Sequence, residues 1–260
     1  SALIQVIDAS GLTDAEGNPT ENYNPEDEIK FLREEIDLWF ASVIQKSLVK
    51  IWKTQTKEDL LNIVTQQLSG LEISKSHIGT VLERVSLADV NHFAEEIRKL
   101  SKPIIIAANK IDLKSAQENF EKLKQKYDNI VPTSAESEIA LKKAAEKGFI
   151  EYSISNGFGI KGNLEENQIK ALDFIKREVI EKYGSTGIQI CLNNAIFKLL
   201  NYIAVYPVAN ASKLTDKDGN ILPDVYLVPN GTTTKELAFK IHTSIGEKFN
   251  GAEISQSLDG

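Results

Sequence analysis

Apolar and polar positions divide this chain into short buried-type runs that end in polar turns, and longer stretches with helical spacing. Residues 2–8, ALIQVID, form a near-continuous apolar run closing at Asp8-Ala9-Ser10-Gly11, the pattern of a buried parallel strand and its turn. Residues 12–25 are polar, with Gly17, Asn18, Pro19 and Pro25, and read as a long surface loop. A helix is predicted from Asn24-Pro25-Glu26-Asp27, where proline takes the first helical position and acids fill the first turn. Ile29, Leu32, Ile36, Phe40, Val43 and Ile44 then recur at spacings of three and four. Lys57–Leu68 and Asp89–Leu100 repeat that pattern, with Gly70 and Gly79 as breaks. Residues 25–100 are too long for a simple crossover and read as an inserted helical subdomain, with Trp39 and Trp52 packed inside it.

A second apolar run, Ile104-Ile105-Ile106-Ala107, predicts a short buried strand running into Asn109-Lys110-Ile111-Asp112. After a helical stretch at 115–127, Ile130-Val131-Pro132 ends in Thr133-Ser134-Ala135-Glu136. A helix follows and stops at Gly148, a C-terminal glycine. Residues 149–154 then lead to Gly157-Phe158-Gly159-Ile160-Lys161-Gly162, which matches G-x-G-x-x-G. That string opens no βαβ unit, and the acid at the right distance, Glu181, falls within a helix. It is read as a flexible loop before a helix at 165–183, not as a dinucleotide site. Gly184-Ser185-Thr186-Gly187 breaks this helix, and residues 188–200 form another. A strand at 202–208, a turn at Asp216-Lys217-Asp218-Gly219-Asn220, a return strand at 225–229 and a Thr-capped helix carrying Leu237, Ala238, Ile241 and Ile245 predict a ubiquitin-like roll.

The chemistry sits at the two strand ends, where open α/β sheets hold their ligands. A carboxylate at Asp112 can accept two parallel hydrogen bonds from the N1 and N2 hydrogens of guanine, and adenine has no N2 amine to match. The stem of Lys110 can lie along the base plane, while the Asn109 amide can tie neighbouring loops together. N-K-x-D by itself also recurs as a polar turn after a buried strand. Context supports the guanine reading: Ser134-Ala135-Glu136 resembles the second base-reading loop of GTPases, whose backbone N–H meets guanine O6.

Other chemistry is thin. Asp14 and Glu16 beside Gly17 touch on a calcium-loop pattern, but the ligand set is incomplete. His77, His92 and His242 lack a second ligand at i±4, so no metal site is expected. The single Cys191 excludes an internal disulfide and suits a reducing cytoplasm. A net charge of −7 gives no basic field, and no DNA or membrane partner is expected. There is no Met, and residue 1 opens into a strand already under way, so the reading expects N-terminal sequence to be missing.

Taken together, these blocks are similar to the YchF/Obg-like GTPases, in particular their archaeal-type group. The resemblance rests on VIDASGLTDAEGNP, the helical insertion before N-K-x-D, TSAESEIALKKAAEKG, EKYGSTGIQ and the TGS-domain pattern VYLVPNGTTTKELAFKIHTSIGEKF, and it spans essentially the whole chain. It implies an α/β fold, a partial P-loop-GTPase-type parallel sheet with an inserted helical subdomain and a C-terminal ubiquitin-like (TGS, α+β) domain. The division it implies is 1–24 with 101–200 for the GTPase part, 25–100 for the insertion and 201–260 for an incomplete TGS domain. The implied ligand is GTP or GDP, at Asn109, Lys110, Asp112, Ser134, Ala135 and Glu136. Bacterial and eukaryotic YchF proteins carry a glutamate-ended variant and are similar to ATPases, whereas Asp112 favours GTP. The resemblance also implies a translation-associated hydrolase that engages ribosome or RNA. Its P-loop, Mg²⁺-binding threonine and D-x-x-G turn are expected upstream of Ser1, so no catalytic residue is assigned and Mg²⁺ is expected only with that part. The alternative is a non-catalytic scaffold or RNA/ribosome-binding module derived from the same family.

Overall fold

The computed structural model describes residues 1–51, 56–154, 157–222 and 224–255. Its contacts divide the chain into two compact units, Ser1–Ala195 and Ile196–Gly260.

In the first unit, β1 (Leu3–Asp8), β2 (Ile104–Asn109) and β3 (Ile130–Pro132) form a parallel sheet in that order. The central strand β2 is buried from Ile104 to Ala108, as its unbroken apolar run demands. β1 departs from the expected buried strand. Gln5 and Ile7 face inward, where Ile7 packs with Ile29, Ile106 and Leu123, but Val6 on the opposite face is 58% exposed. It is an edge strand among the described residues, and its alternating burial leaves one face uncovered.

Between β1 and β2 run α1 (Pro25–Ile51), α2 (Lys57–Leu68), α3 (Lys75–Leu82) and α4 (Val90–Ser101). Phe40, Ile44, Val64, Leu68, Ile78, Phe93 and Ile97 close a separate apolar core among these helices. Arg98 of α4 pins this bundle through a two-pronged ion pair with Asp37 of α1. Two sequence expectations change here, and a third is not reached by the described residues. Gly79 breaks nothing and lies inside α3, where no neighbour crowds it. Trp39 is half exposed, with Phe31, Leu32 and Leu38 also exposed on α1. Trp52 lies outside the described residues.

After β2 come α5 (Lys114–Leu123), β3, α6 (Ala135–Glu146), β4 (Ile150–Ser153) and β5 (Gly157–Ile160). The glycine-rich segment expected to be a loop is the second strand of an antiparallel hairpin, with Tyr152 opposite Phe158 and Ile150 opposite Ile160. Pairing with β4 supplies the order that its own side-chain pattern lacks. The helix expected at 165–183 is α7 (Glu166–Ile175), a π-helical segment (Lys176–Ile180) and α8 (Glu181–Tyr183). A left-handed Gly184 ends it. Next come α9 (Ile188–Asn193), which lies against β2, and a π-helical turn at Asn194–Leu199 that spans the boundary between the units.

In the second unit, β6 (Tyr202–Val205) and β7 (Tyr226–Pro229) pair antiparallel, followed by α10 (Thr234–Ile241) and α11 (Thr243–Glu247). Thr233 and Glu236 form a reciprocal capping box at the start of α10. The single helix expected here is two, because His242 takes an extended backbone between them and caps α11 by accepting the Ser244 N–H.

Candidate functional site

Strand register gathers the candidate residues at one end of the sheet. Asp8 stands opposite Asn109, and Ala108 opposite Pro132, so the loops that follow β1, β2 and β3 leave the sheet side by side. Main-chain bonds sew them together. Ala9 N–H donates to Asn109 O, Thr133 N–H to Ala108 O and Ile111 N–H to Thr133 O. Lys110 is left with φ of 65°, a left-handed conformation that non-glycine residues take only where the surroundings enforce it.

Side chains complete the weave. The Asn109 amide oxygen accepts the Ala135 N–H at 3.0 Å, and the Ser134 hydroxyl donates to Asp112 Oδ1 at 2.7 Å. Ser134 also caps α6 by accepting the Ser137 N–H, and its Oγ lies 2.7 Å from Ser137 Oγ. Asn109, Asp112, Ser134 and Ala135 are therefore one cluster. Glu136 is exposed in the first turn of α6, where the helix dipole favours an acid. Lys110 turns to a residue that the sequence reading left without a role: its Nζ lies 2.8 Å from Asp8 Oδ2.

Asp8 also accepts the Ser10 N–H, the Ser10 hydroxyl and the Thr13 hydroxyl, while Glu28 accepts the Asp8 N–H. Burial opposes ionisation of Asp8, but Lys110, Ser10 and Thr13 outweigh it and hold the carboxyl below its ordinary range. At Glu28 burial prevails and raises the carboxyl. Asp8-Ala9-Ser10-Gly11 is also a D-x-x-G string within the chain, which corrects the expectation that this spacing is found only upstream. Here its carboxylate is spent on the turn and on Lys110.

A segment read in the sequence as a helix break and as part of the family resemblance, but given no role at the site, stands behind the β3 loop. Thr186 O accepts the Ser134 N–H, and Gly187, at φ of 81°, lies so close to Pro132 that a Cβ would overlap its carbonyl oxygen. The signal that could have found it was a second glycine only three residues after Gly184.

With this geometry in hand, comparisons with known proteins decide the family. Residues 107–210 match the family described as "Obg-like GTPase YGR210-like, G4 motif-containing domain", and residues 213–258 match the TGS domain. The crystal structure of a GTP-binding protein from Pyrococcus horikoshii OT3 superposes with a TM-score of 0.72 at 36% identity, over 95% of this chain and 70% of that one. The chain belongs to the Obg-like GTPase family. This Obg-like chain is also 44% identical to an uncharacterized GTP-binding protein of Methanocaldococcus jannaschii, over 95% of its own length and 66% of the relative's. It is 30% identical to an uncharacterized GTP-binding protein of Schizosaccharomyces pombe, over 91% of its own length and 63% of the relative's. It thus spans about two thirds of the length of these two relatives.

Among the described residues no group of three or more His, Cys, Asp and Glu could hold an ion. Asp14, considered for calcium, spends its oxygens on the Glu16 N–H, the Asn18 N–H and the Asn18 amide. Asp216 repeats that arrangement with Asp218 and Asn220. No helix among the described residues is long and apolar enough to cross a membrane.

Proposed function

We propose that this Obg-like chain binds a guanine nucleotide at its sheet end, with Asn109, Lys110, Asp112, Ser134, Ala135 and Glu136 framing the base. The observation that carries the reading is the Ser134–Asp112 hydrogen bond, which joins the two base-reading loops and orients the carboxylate. A carboxylate has about four acceptor positions, so one hydroxyl leaves capacity for the paired N1 and N2 hydrogens of guanine. The Ala135 N–H now given to Asn109 would be shared with, or passed to, guanine O6.

GTP hydrolysis and a ribosome or RNA partner are the fuller family reading, and family membership supports them. Phosphoryl transfer is almost entirely a matter of positioning phosphates and Mg²⁺. The string G-x-x-x-x-G-K-[ST] does not occur in residues 1–260, and no residue here is given a phosphate or Mg²⁺ role.

The test is titration of the 260-residue chain with fluorescent GDP and ADP, beside Asp112→Ala. The proposal expects GDP to bind more tightly than about 100 μM, ADP to bind more weakly, and the variant to lose about tenfold or more, ~1.4 kcal/mol. Binding of neither nucleotide would overturn guanine binding by this chain, and preference for ADP would overturn the role given to Asp112.

A further inference from the structure

Glu138 lies one turn into α6, outside the base-reading loops, yet two other segments converge on its carboxylate beside Lys142 of its own helix. Glu138 Oε2 accepts the Thr186 hydroxyl at 2.5 Å and the Tyr152 hydroxyl at 2.7 Å, while Oε1 faces Lys142 Nζ at 3.2 Å. Tyr152 belongs to the β4–β5 hairpin and Thr186 to the turn that precedes α9. Glu138 and Thr186 are both buried, so these bonds form where water competes poorly. Burial alone would disfavour a charged Glu138, but Thr186, Tyr152 and Lys142 outweigh it and hold the carboxyl below its ordinary range.

The same turn presses on the base-reading loop. Thr186 O holds the Ser134 N–H at 2.9 Å, and Gly187 packs onto the Pro132 carbonyl with no room for a side chain. Ser134 in turn holds Asp112. The chain of contacts is short: Glu138 fixes the Thr186 side chain, the Thr186 main chain fixes Ser134, and the Ser134 hydroxyl sets the Asp112 carboxylate. Paired recognition of two base hydrogens tolerates little misplacement of that carboxylate.

We infer that Thr186 and Glu138 are positioning residues for guanine recognition, and that the turn at 184–187 is a third wall of the site, setting Asp112 through Ser134. The inference rests on the guanine reading above. It goes beyond that reading by placing part of base selectivity in a segment that carries no base-reading motif.

Thr186→Val removes the hydroxyl at nearly constant volume, and Thr186→Ser restores it. The 260-residue chain and both variants are titrated with fluorescent GDP and ADP, and their amide hydrogen exchange is followed at 133–137 and in β2. Thr186→Val is expected to weaken GDP by about three- to tenfold, the effect of one hydrogen bond, and to leave ADP unchanged. Exchange should quicken at Ser134 and Ala135 while the β2 amides keep their protection, and Thr186→Ser should recover both properties. Unchanged GDP affinity, failure of serine to rescue, or quickened exchange throughout the unit would each overturn the positioning role. If the unsubstituted chain binds neither nucleotide, the guanine reading has failed. The exchange data then decide the brace alone: a local, serine-rescued change upholds it, and no change overturns it.

Discussion

Lys110 Nζ sits 2.8 Å from Asp8 Oδ2, so the lysine between the two base-reading side chains is anchored by the end of a different strand. The partners are unequal: the Asp8 side chain is 9% exposed and that of Lys110 is 41% exposed. Asp8 also serves Ser10 and Thr13, so its loss strands donors in a half-buried turn. Asp8→Ala is therefore expected to cost about 1–3 kcal/mol in urea unfolding. Lys110→Ala removes only the exposed member and should cost under about 1 kcal/mol. The reverse ranking would show that the turn does not depend on the Asp8 carboxylate.

Gly184 and Gly187 make a matched pair. Both are left-handed, with φ of 79° and 81°, but a Cβ at Gly184 meets nothing and one at Gly187 meets Pro132. Gly184→Ala should carry only the conformational penalty, about 1–2 kcal/mol. Gly187→Ala should exceed it, because the Pro132 carbonyl must move as well. Differential scanning calorimetry of the two variants gives the ranking, and equal melting temperatures would refute the close approach.

The Glu138 network sets opposite ends of the pH range. The Glu138 carboxyl is lowered, so the stability it contributes is present above the ordinary carboxylate range and is lost as pH falls through its folded value. Tyr152 behaves in the other sense. Burial, then the bond to Glu138, raise it to about 12, so its contribution is whole below its ordinary value and is lost as pH rises toward that figure. Urea midpoints measured against pH should lose part of their acid slope in Glu138→Gln and part of their alkaline slope in Tyr152→Phe. Parallel curves for Tyr152→Phe and the unsubstituted chain would place the tyrosine hydroxyl outside the network.

Local rules carried the reading a long way along this chain. The apolar run Ile104–Ala107 predicted the buried strand that forms, and α2 ran from Lys57 to Leu68 as its spacing indicated. The errors fall where local pattern is silent. Gly157–Ile160 has too few side chains to show a strand period, and it became a strand because β4 lies beside it. Gly79 is tolerated in α3 because tertiary packing outweighs its weak propensity. His242 divides the last helix although its apolar spacing continues to Ile245.

The sequence by itself determined the α/β character, the helical stretch between the first two sheet strands, and the two polar tetrads at strand ends from which guanine recognition was read. Those features are local, since residue order and period suffice to specify them. Tertiary structure alone decided that Lys110 meets Asp8, that Ser134 meets both Asp112 and Thr186, and that Glu138 gathers Tyr152 and Thr186. Each pairing joins residues distant in the chain and exists only after strand register and loop closure bring them within hydrogen-bond reach, an outcome that leaves no period in the sequence to read.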